Sequence, residues 1–397
     1  MLQFHSGSTH VVNSSRAILE CLEVALGKGG HCDLLILHAA IGHNLPELLK
    51  TARKLLPEVR IAGCTCAGVI GQEGPNESSK ALGIMTVTGS SDEYAIAYHD
   101  NIVGSNSFEV AQQMAEDLKA QNPNVNMILF LASGIDIAAD QAIAGMESVF
   151  GPDIPVFGAS SSDNMRAISS FQMADDLIFE RGAIAIGFAD PTLEVITQAD
   201  HGFAIVGCGA EVTRSENNRV YEIEGQPAWH WFTENIGLDA DAEFFDTIPI
   251  GAIAEELSPE DAAIYGSSHV LRVIAKKDDD GSIYMPVDCP EGTRLWLTKR
   301  DEARIFAGLD RMVDGLVEAC GRRPVAVFHA DCGARGKHLF NRVLKDEIVS
   351  RMQVPLMQGG TVPWLGMYGL GEFAKLNGKN AFHNYTTALY VVLRKEA

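Results

Sequence analysis

The chain is short of positive charge: 31 lysines and arginines stand against 52 aspartates and glutamates over 397 residues, a formal net charge of -21. Such an excess repels phosphate backbones and anionic lipid unless a local basic patch intervenes. The sequence shows no such patch, so neither nucleic acid nor a membrane surface is an expected partner. The stretch from Met1 to His10 lacks the basic start and apolar centre of a secretory signal, and no apolar run approaches membrane-spanning length. A cytoplasmic location is the default expectation. The eight cysteines fall at irregular spacing, which argues against a disulfide framework and for free thiols in a reducing compartment.

Enzyme signatures are missing as well. There is no Gly-x-Ser-x-Gly elbow, phosphate-binding P-loop or His-Glu-x-x-His, and Gly207-Cys-Gly209 lacks the third glycine of a dinucleotide loop. Twelve histidines and a Cys289-Pro290 pair leave room for haem, but no Cys-x-x-Cys-His attachment motif is present. Asp278-Asp-Asp-Gly281 lacks the alternating oxygen ligands and closing glutamate of a calcium loop and reads as a hairpin turn. Cys64-Thr65-Cys66 is too closely spaced for two cysteines to share a tetrahedral metal, and reads as a small-residue turn at a strand end. These absences move the expectation from an enzyme toward a binding protein.

What is present is an ordinary globular composition, 46% hydrophobic and 21% charged, on a chain long enough for two or more cores. Short continuous apolar runs such as Asp33 to Ala40 and Asn126 to Ser133 read as strands covered on both faces. Helices are expected from a cap at Ser14 or Ser15, over Leu45 to Leu56 behind Asn44, over Ser107 to Ala120, Ala228 to Ile236, Glu302 to Ala319 and Lys337 to Ser350. The order of strand, helix and further strands recurs after about 95 residues, with Val156-Phe-Gly-Ala-Ser matching Ile61-Ala-Gly-Cys-Thr. The last unit, closing on a strand over Tyr385 to Leu393, resembles it again. An α/β fold is therefore expected, with α+β as the alternative. The pattern leaves a doubly wound sheet and two stacked sheets equally open. The acidic stretch from Leu238 to Glu243 suggests a boundary, giving segments 1–240 and 241–397.

Three late stretches carry polar groups at the ends of apolar or glycine-rich runs, as a sheet rim does when it presents a site. They are Pro324 to Arg335, Gly366 to Glu372 and Phe382 to Thr386. Cys332 and Arg335 are the first candidates: the arginine offers a fixed fork for a carboxylate, or an ordinary ion pair, and a nearby cation would lower the thiol's pKa. A nucleophilic cysteine would also need a base, for which His329, His338 and His383 are available in sequence. Glu372, His383 and Asn384 could hold a polar ligand or fix the last strand among themselves.

These same residues carry a resemblance. Cys332-x-x-Arg335, Gly366-x-Tyr-Gly-x-Gly-Glu372 and the closing Phe-His-Asn-x-Thr resemble the C-terminal half of FIST (F-box and intracellular signal transduction) proteins. Gly63-Cys-Thr-Cys-Ala-Gly68, Phe157 to Asp163, and Val212-Thr213 leading to Tyr221 through Ala228 resemble the N-terminal half. The resemblance implies an N-like domain over 1–240 and a C-like domain over 241–397, and a small-ligand sensor with amino acids or related carboxylates as ligands. It adds Cys64 and Thr65 to the residues that could line a cleft. It also implies an alternative, a haem-binding nitric oxide sensor regulating a partner histidine kinase, with His383 or His329 as axial ligand. No kinase, cyclase or DNA-binding segment is attached in this sequence, so the output is expected to pass to a separate partner. A thiol-dependent enzyme built on Cys332 is the third reading.

Overall fold

Helix starts are written locally in this chain. The side chains of Asn13 and Asn44 accept from the backbone N–H of Arg16 and Glu47 at 2.9 and 3.0 Å, each satisfying a donor that the first turn leaves over. The first cap is thus Asn13, one residue before the expected serine. The structure, a computed structural model, describes residues 1–135, 137–247, 250–337 and 341–396.

One unit occurs three times. The first contains β1 (Gln3–Thr9), α1 (Ser14–Leu26), β2 (Leu34–Ala40), α2 (Leu45–Leu55), β3 (Arg60–Cys66), the hairpin β4 (Gly68–Gly71) with β5 (Gly74–Asn76), and β6 (Leu82–Thr88). The second contains β7 (Tyr94–His99), α3 (Ser107–Gln121), β8 (Met127–Ser133), α4 (Ala139–Phe150), β9 (Val156–Ser161), the hairpin β10 (Phe171–Ala174) with β11 (Leu177–Glu180), and β12 (Ala183–Phe188). The third opens with β13 (Leu193–Asp200) and is then interrupted by an insert. That insert contains β14 (Phe203–Glu216), β15 (Arg219–Ile223), β16 (Gln226–Pro227), α5 (Ala228–Ile236), α6 (Phe244–Thr247), β17 (Ile253–Glu256), α7 (Pro259–Tyr265), β18 (His269–Arg272), β19 (Lys276–Lys277), β20 (Ile283–Tyr284) and β21 (Arg294–Arg300). The third unit resumes with α8 (Glu302–Cys320), β22 (Ala326–Cys332), α9 (Arg342–Met357), β23 (Trp364–Gly369), the hairpin β24 (Glu372–Leu376) with β25 (Lys379–His383), and β26 (Thr387–Arg394).

Each unit builds a sheet around a parallel strand pair joined by a helix, β2 with β3, β8 with β9 and β22 with β23. None finishes that sheet with its own hairpin. The hairpin of the second unit completes the first sheet (β1-β6-β2-β3-β10-β11), that of the third completes the second (β7-β12-β8-β9-β24-β25), and that of the first completes the third (β13-β26-β22-β23-β4-β5). Inner faces of all three sheets meet in one core containing Ile36, Leu129, Phe157, Phe328, Met367 and Tyr390. The outer faces bury their own helix pairs, α1 and α2 through Leu22 and Leu48, α3 and α4 through Met114 and Met146, α8 and α9 through Leu309 and Met352. The insert forms a separate eight-stranded sheet with its own core around Val212, Trp229, Phe232 and Ile283. Its two connections to the rest run side by side, since Phe203 pairs with Arg300.

Several expectations need amending. Neither one doubly wound sheet nor two stacked sheets is found, because three like sheets share a centre and a fourth belongs to the insert. A division at 240/241 falls inside that insert, between α5 and α6. Strands from both sides of it pair directly, β13 with β26 and β4 with β23. The helix expected over Lys337 to Ser350 starts at Arg342 and runs to Met357. The last strand starts at Thr387 rather than Tyr385, whose φ of 54° is incompatible with a strand. The repeat, the Asp278 to Gly281 hairpin and the mixed α/β class stand as expected.

Gly63, Gly158 and Gly366 occupy the same position in the three units, opposite Leu37, Phe130 and His329 on the parallel neighbour. A Cβ would lie 2.2 Å from the carbonyl oxygen of Leu37 at the first and 2.3 Å from that of Phe130 at the second. Gly158 also stands at φ 136°, which L side chains rarely adopt. Gly158→Ala is therefore expected to cost about 3 kcal/mol of stability by urea denaturation, and more than Ala substitution at Gly151, whose Cβ meets open space.

Candidate functional site

Strand ends from the second and third units converge where the insert sits against them. Gly134 and Ile137 follow β8, Met165 and Ala167 lie between β9 and β10, Cys332 ends β22 with Ala334 in the turn after it, and Leu370 turns between β23 and β24. With Phe382 and Tyr385 they face Val273, Ile274, Ala275 and Pro286 of the insert around a cavity of about 40 Å³. An open cleft of about 630 Å³ lies next to it and shares Ile137 and Ala275 as lining. The cavity is apolar, whereas the cleft carries both signs of charge, with Glu109, Glu216 and Asp288 beside Arg219 and Lys276. Arg219 lies 4.6 Å from the ring of Tyr221 and 5.3 Å from that of Tyr284, and pairs with Asp278 and Asp280 at 3.0 Å.

Behind the cavity wall lies a cluster of buried ionisable groups. Arg335 Nε donates to Asp331 Oδ1 at 2.8 Å and its Nη1 to the carbonyl of His201 at 3.1 Å. Burial pushes the Asp331 carboxyl up to about 6, with Arg335 opposing the rise. Asp200, also raised to about 6 by burial, accepts from Arg311 at 2.5 Å. Glu372 Oε2 accepts from Thr386 Oγ1 at 2.6 Å, while its Oε1 is buried with no hydrogen-bond partner. Burial holds that carboxyl well above the usual range. His383 contacts the Ala374 carbonyl through Nε2 at 3.3 Å and the Tyr265 hydroxyl through Nδ1 at 3.4 Å. Asn384 spans two parts of the wall, accepting from Val273 N–H at 3.3 Å and donating to the Leu370 carbonyl at 3.1 Å.

Of the residues singled out in the sequence, Cys332 alone lines the cavity. Its thiol is pushed above the ordinary range by burial, with Glu372 adding to the rise, so the cation at Arg335 does not yield a ready thiolate. Arg335, Glu372, His383 and Asn384 line neither the cavity nor the cleft, and each bonds to its own partners behind the wall. Cys64 is at the common centre, its sulfur 3.8 Å from that of Met367. Thr65 anchors the start of β10 by accepting from Phe171 N–H at 2.9 Å. Neither lines the cleft or the cavity. His329 faces the α9 side, bonded to Thr387 Oγ1 at 2.9 Å, and His338 lies outside the described residues. Sequence reasoning missed Met165, Ala167 and the insert's Val273 to Ala275. Only the motif ending at Asp163, and Tyr385 inside the Phe382 to Thr386 motif, pointed near them.

The residues do not fit haem. Both nitrogens of His383 are engaged, and His329, whose Nδ1 is buried without a partner, lines neither the cavity nor the cleft. A cavity of about 40 Å³ is also far below the several hundred Å³ that organic cofactors occupy. Among the described residues no group of three or more His, Cys, Asp or Glu could hold a metal ion.

Two family models match the chain, the FIST N domain over residues 33–226 and the FIST C domain over residues 231–375. The chain belongs to the FIST family. FIST domains are signalling sensor domains, and the boundary between the two matches, 226–231, falls across the start of α5 inside the insert of this FIST protein. No curated protein matches it. Among solved structures, cyanuric acid hydrolase from A. caulinodans aligns over 100% of both chains at 7% identity, with a TM-score of 0.37. T. maritima PurL complexed with FGAR aligns over 99% of this chain and 73% of that one at 8% identity, with a TM-score of 0.19. Both scores are too low for these likenesses to bear on fold or function. Among the described residues no helix is long and apolar enough to cross a membrane.

Two outcomes follow for the histidines. Because His383 has a folded pKa pulled down to about 3 against 6.5, its contribution to stability is present above pH 6.5 and lost as pH falls. The cost of His383→Asn in urea denaturation should therefore shrink by about 1 kcal/mol per pH unit below pH 6.5. Haem added to the purified protein should give no Soret band that depends on His383 or His329, and a band abolished by either substitution would reopen that cofactor.

Proposed function

We propose that this FIST protein is a sensor whose ligand is a small amino acid or related carboxylate, bound in the cleft between the three-unit core and the insert. The observation that carries this reading is the pairing of a small apolar cavity with an open cleft of mixed charge across one seam. Small-molecule sites favour such seams, where apolar lining supplies affinity and a few polar groups fix orientation. A zwitterion suits a mouth holding both Arg219 and Asp288. The insert is tied to the core by two adjacent strands, β14 and β21, so a ligand filling the seam would change how the insert rests on the core. That change is the signal passed to a partner protein such as a histidine kinase.

Binding rather than catalysis is supported by the same geometry. Cys332 has a raised thiol pKa, and neither His329 nor His383, the two described histidines considered as its base, lines the cavity that holds it. Thermal denaturation with the twenty amino acids and with simple carboxylates tests the reading. A true ligand at a hundred times its Kd stabilises by about 2.7 kcal/mol, a shift of several degrees. A folded protein whose midpoint moves with none of them rules the proposal out.

A further inference from the structure

The segment between β9 and β10 is held in an unusual conformation by one carboxylate. Asp163, 4% exposed, accepts four backbone N–H groups: Arg166 at 2.7 Å and Ala167 at 3.1 Å on Oδ1, Ile168 at 3.0 Å and Ser169 at 3.4 Å on Oδ2. Within it Met165 stands at φ 74° and Ala167 at φ 52°, left-handed positions that non-glycine residues rarely take. Both line the cavity. The thioether of Met165 rests on Gly333, where a Cβ would come within 2.1 Å of its sulfur. The chain therefore spends backbone strain and a glycine on seating one flexible, apolar side chain beside Cys332.

We infer that Met165 is a movable plug in the apolar part of the ligand site, and that the ligand group admitted in its place is an aliphatic side chain. This rests on the proposed binding role of the seam and adds to it what kind of ligand enters. Methionine suits such a task, because its unbranched thioether repacks at low cost. The cavity as it stands, about 40 Å³, has no room for a ligand side chain until something gives way. Its wall offers apolar surface beyond Ile137 and Ala275, and the charged groups lie on the cleft side of those two residues. A ligand lying across them places a polar head in the cleft and an aliphatic tail where Met165 now sits. Leucine and 4-methylpentanoate share that chemistry and differ in the amine.

Cys332 reports on the plug, being buried in the cavity wall. The folded full-length chain is treated with methyl methanethiosulfonate and modification of Cys332 is followed by peptide mass spectrometry. Met165→Ala should speed it about tenfold, while Met165→Leu, which refills the space, should stay near the wild-type rate. Asp163→Asn, which loosens the segment without emptying the cavity, should act in the same direction and serves where Met165→Ala does not fold. Benzene and leucine should slow modification of Met165→Ala, and glutamate should not. Protection by 4-methylpentanoate and not by leucine would identify a simple carboxylate as the source of the tail. Protection by benzene without any from leucine or 4-methylpentanoate keeps the plug and removes the amino-acid and carboxylate reading. Equal rates in wild type and the loosened variants, or protection by glutamate as strong as by leucine, overturn the inference.

Discussion

Every sheet in the core is finished by a hairpin that belongs to another unit, and the rest of the architecture depends on that exchange. A parallel pair such as β8 and β9 leaves one edge of β9 open, with unpaired N–H and C=O groups. The edge is closed only when β24 arrives, through Glu372 opposite Ala159 and Phe373 opposite Gly158. Since the same closure runs cyclically through all three units, no unit holds a complete sheet alone. The close approach at Gly63, Gly158 and Gly366 is part of the same arrangement, because each glycine lies on the strand that receives the foreign hairpin, just ahead of the shared centre. Tyr390 adds a side-chain tie across units, its hydroxyl donating to the Gly158 carbonyl at 2.6 Å.

Three equivalent units would give three equivalent rims, and the insert removes that equivalence. It enters between β13 and α8 of the third unit only, and its Val273 to Ala275 stretch closes over strand ends from the second and third units. Close to the seam lie the buried pair of Arg335 with Asp331 and the buried carboxylate of Asp200, which pairs with the exposed Arg311. Such pairs stabilise little by themselves, since desolvation offsets attraction, but removing one partner leaves an uncompensated charge. One of them also ties down the chain entering the insert: Arg335 reaches from β22's end to the carbonyl of His201, two residues before β14 begins. Beside this base the backbone of the Met165 segment is held by the Asp163 carboxylate, and the Met165 side chain by its packing against Gly333.

Local signals in the sequence were enough for the helices and for the repeat. Asn44, Pro46 and the apolar spacing after them mark α2 within a residue, and Ala228 to Ile236 is α5 as expected. The partners of the hairpins were illegible, because strand alternation reads the same whichever sheet a hairpin joins. The insert was hidden for a related reason. Its strands follow β13 with no linker, and the acidic stretch after α5 resembles a boundary while lying inside it. Cys332 and Arg335 are three residues apart in sequence, yet one lines the cavity and the other turns its fork back to Asp331. Met165 gave no pattern at all, since its position is set by a carboxylate two residues earlier and a glycine far along the chain.

The exchange of hairpins also sets an order on synthesis. The first sheet can close once residues up to Glu180 have emerged, but β9, made by Ser161, waits for Glu372 to Leu376. At bacterial-to-eukaryotic elongation rates of about 5–20 residues per second, that delay of roughly 200 residues lasts on the order of ten to forty seconds. Throughout it the nascent chain carries an open, apolar strand edge with the sequence Val156-Phe-Gly-Ala-Ser-Ser161. A ribosome paused within the insert would prolong the exposure, and folding of this protein in the cell should lean on chaperones that shield such edges until the last quarter of the chain is made.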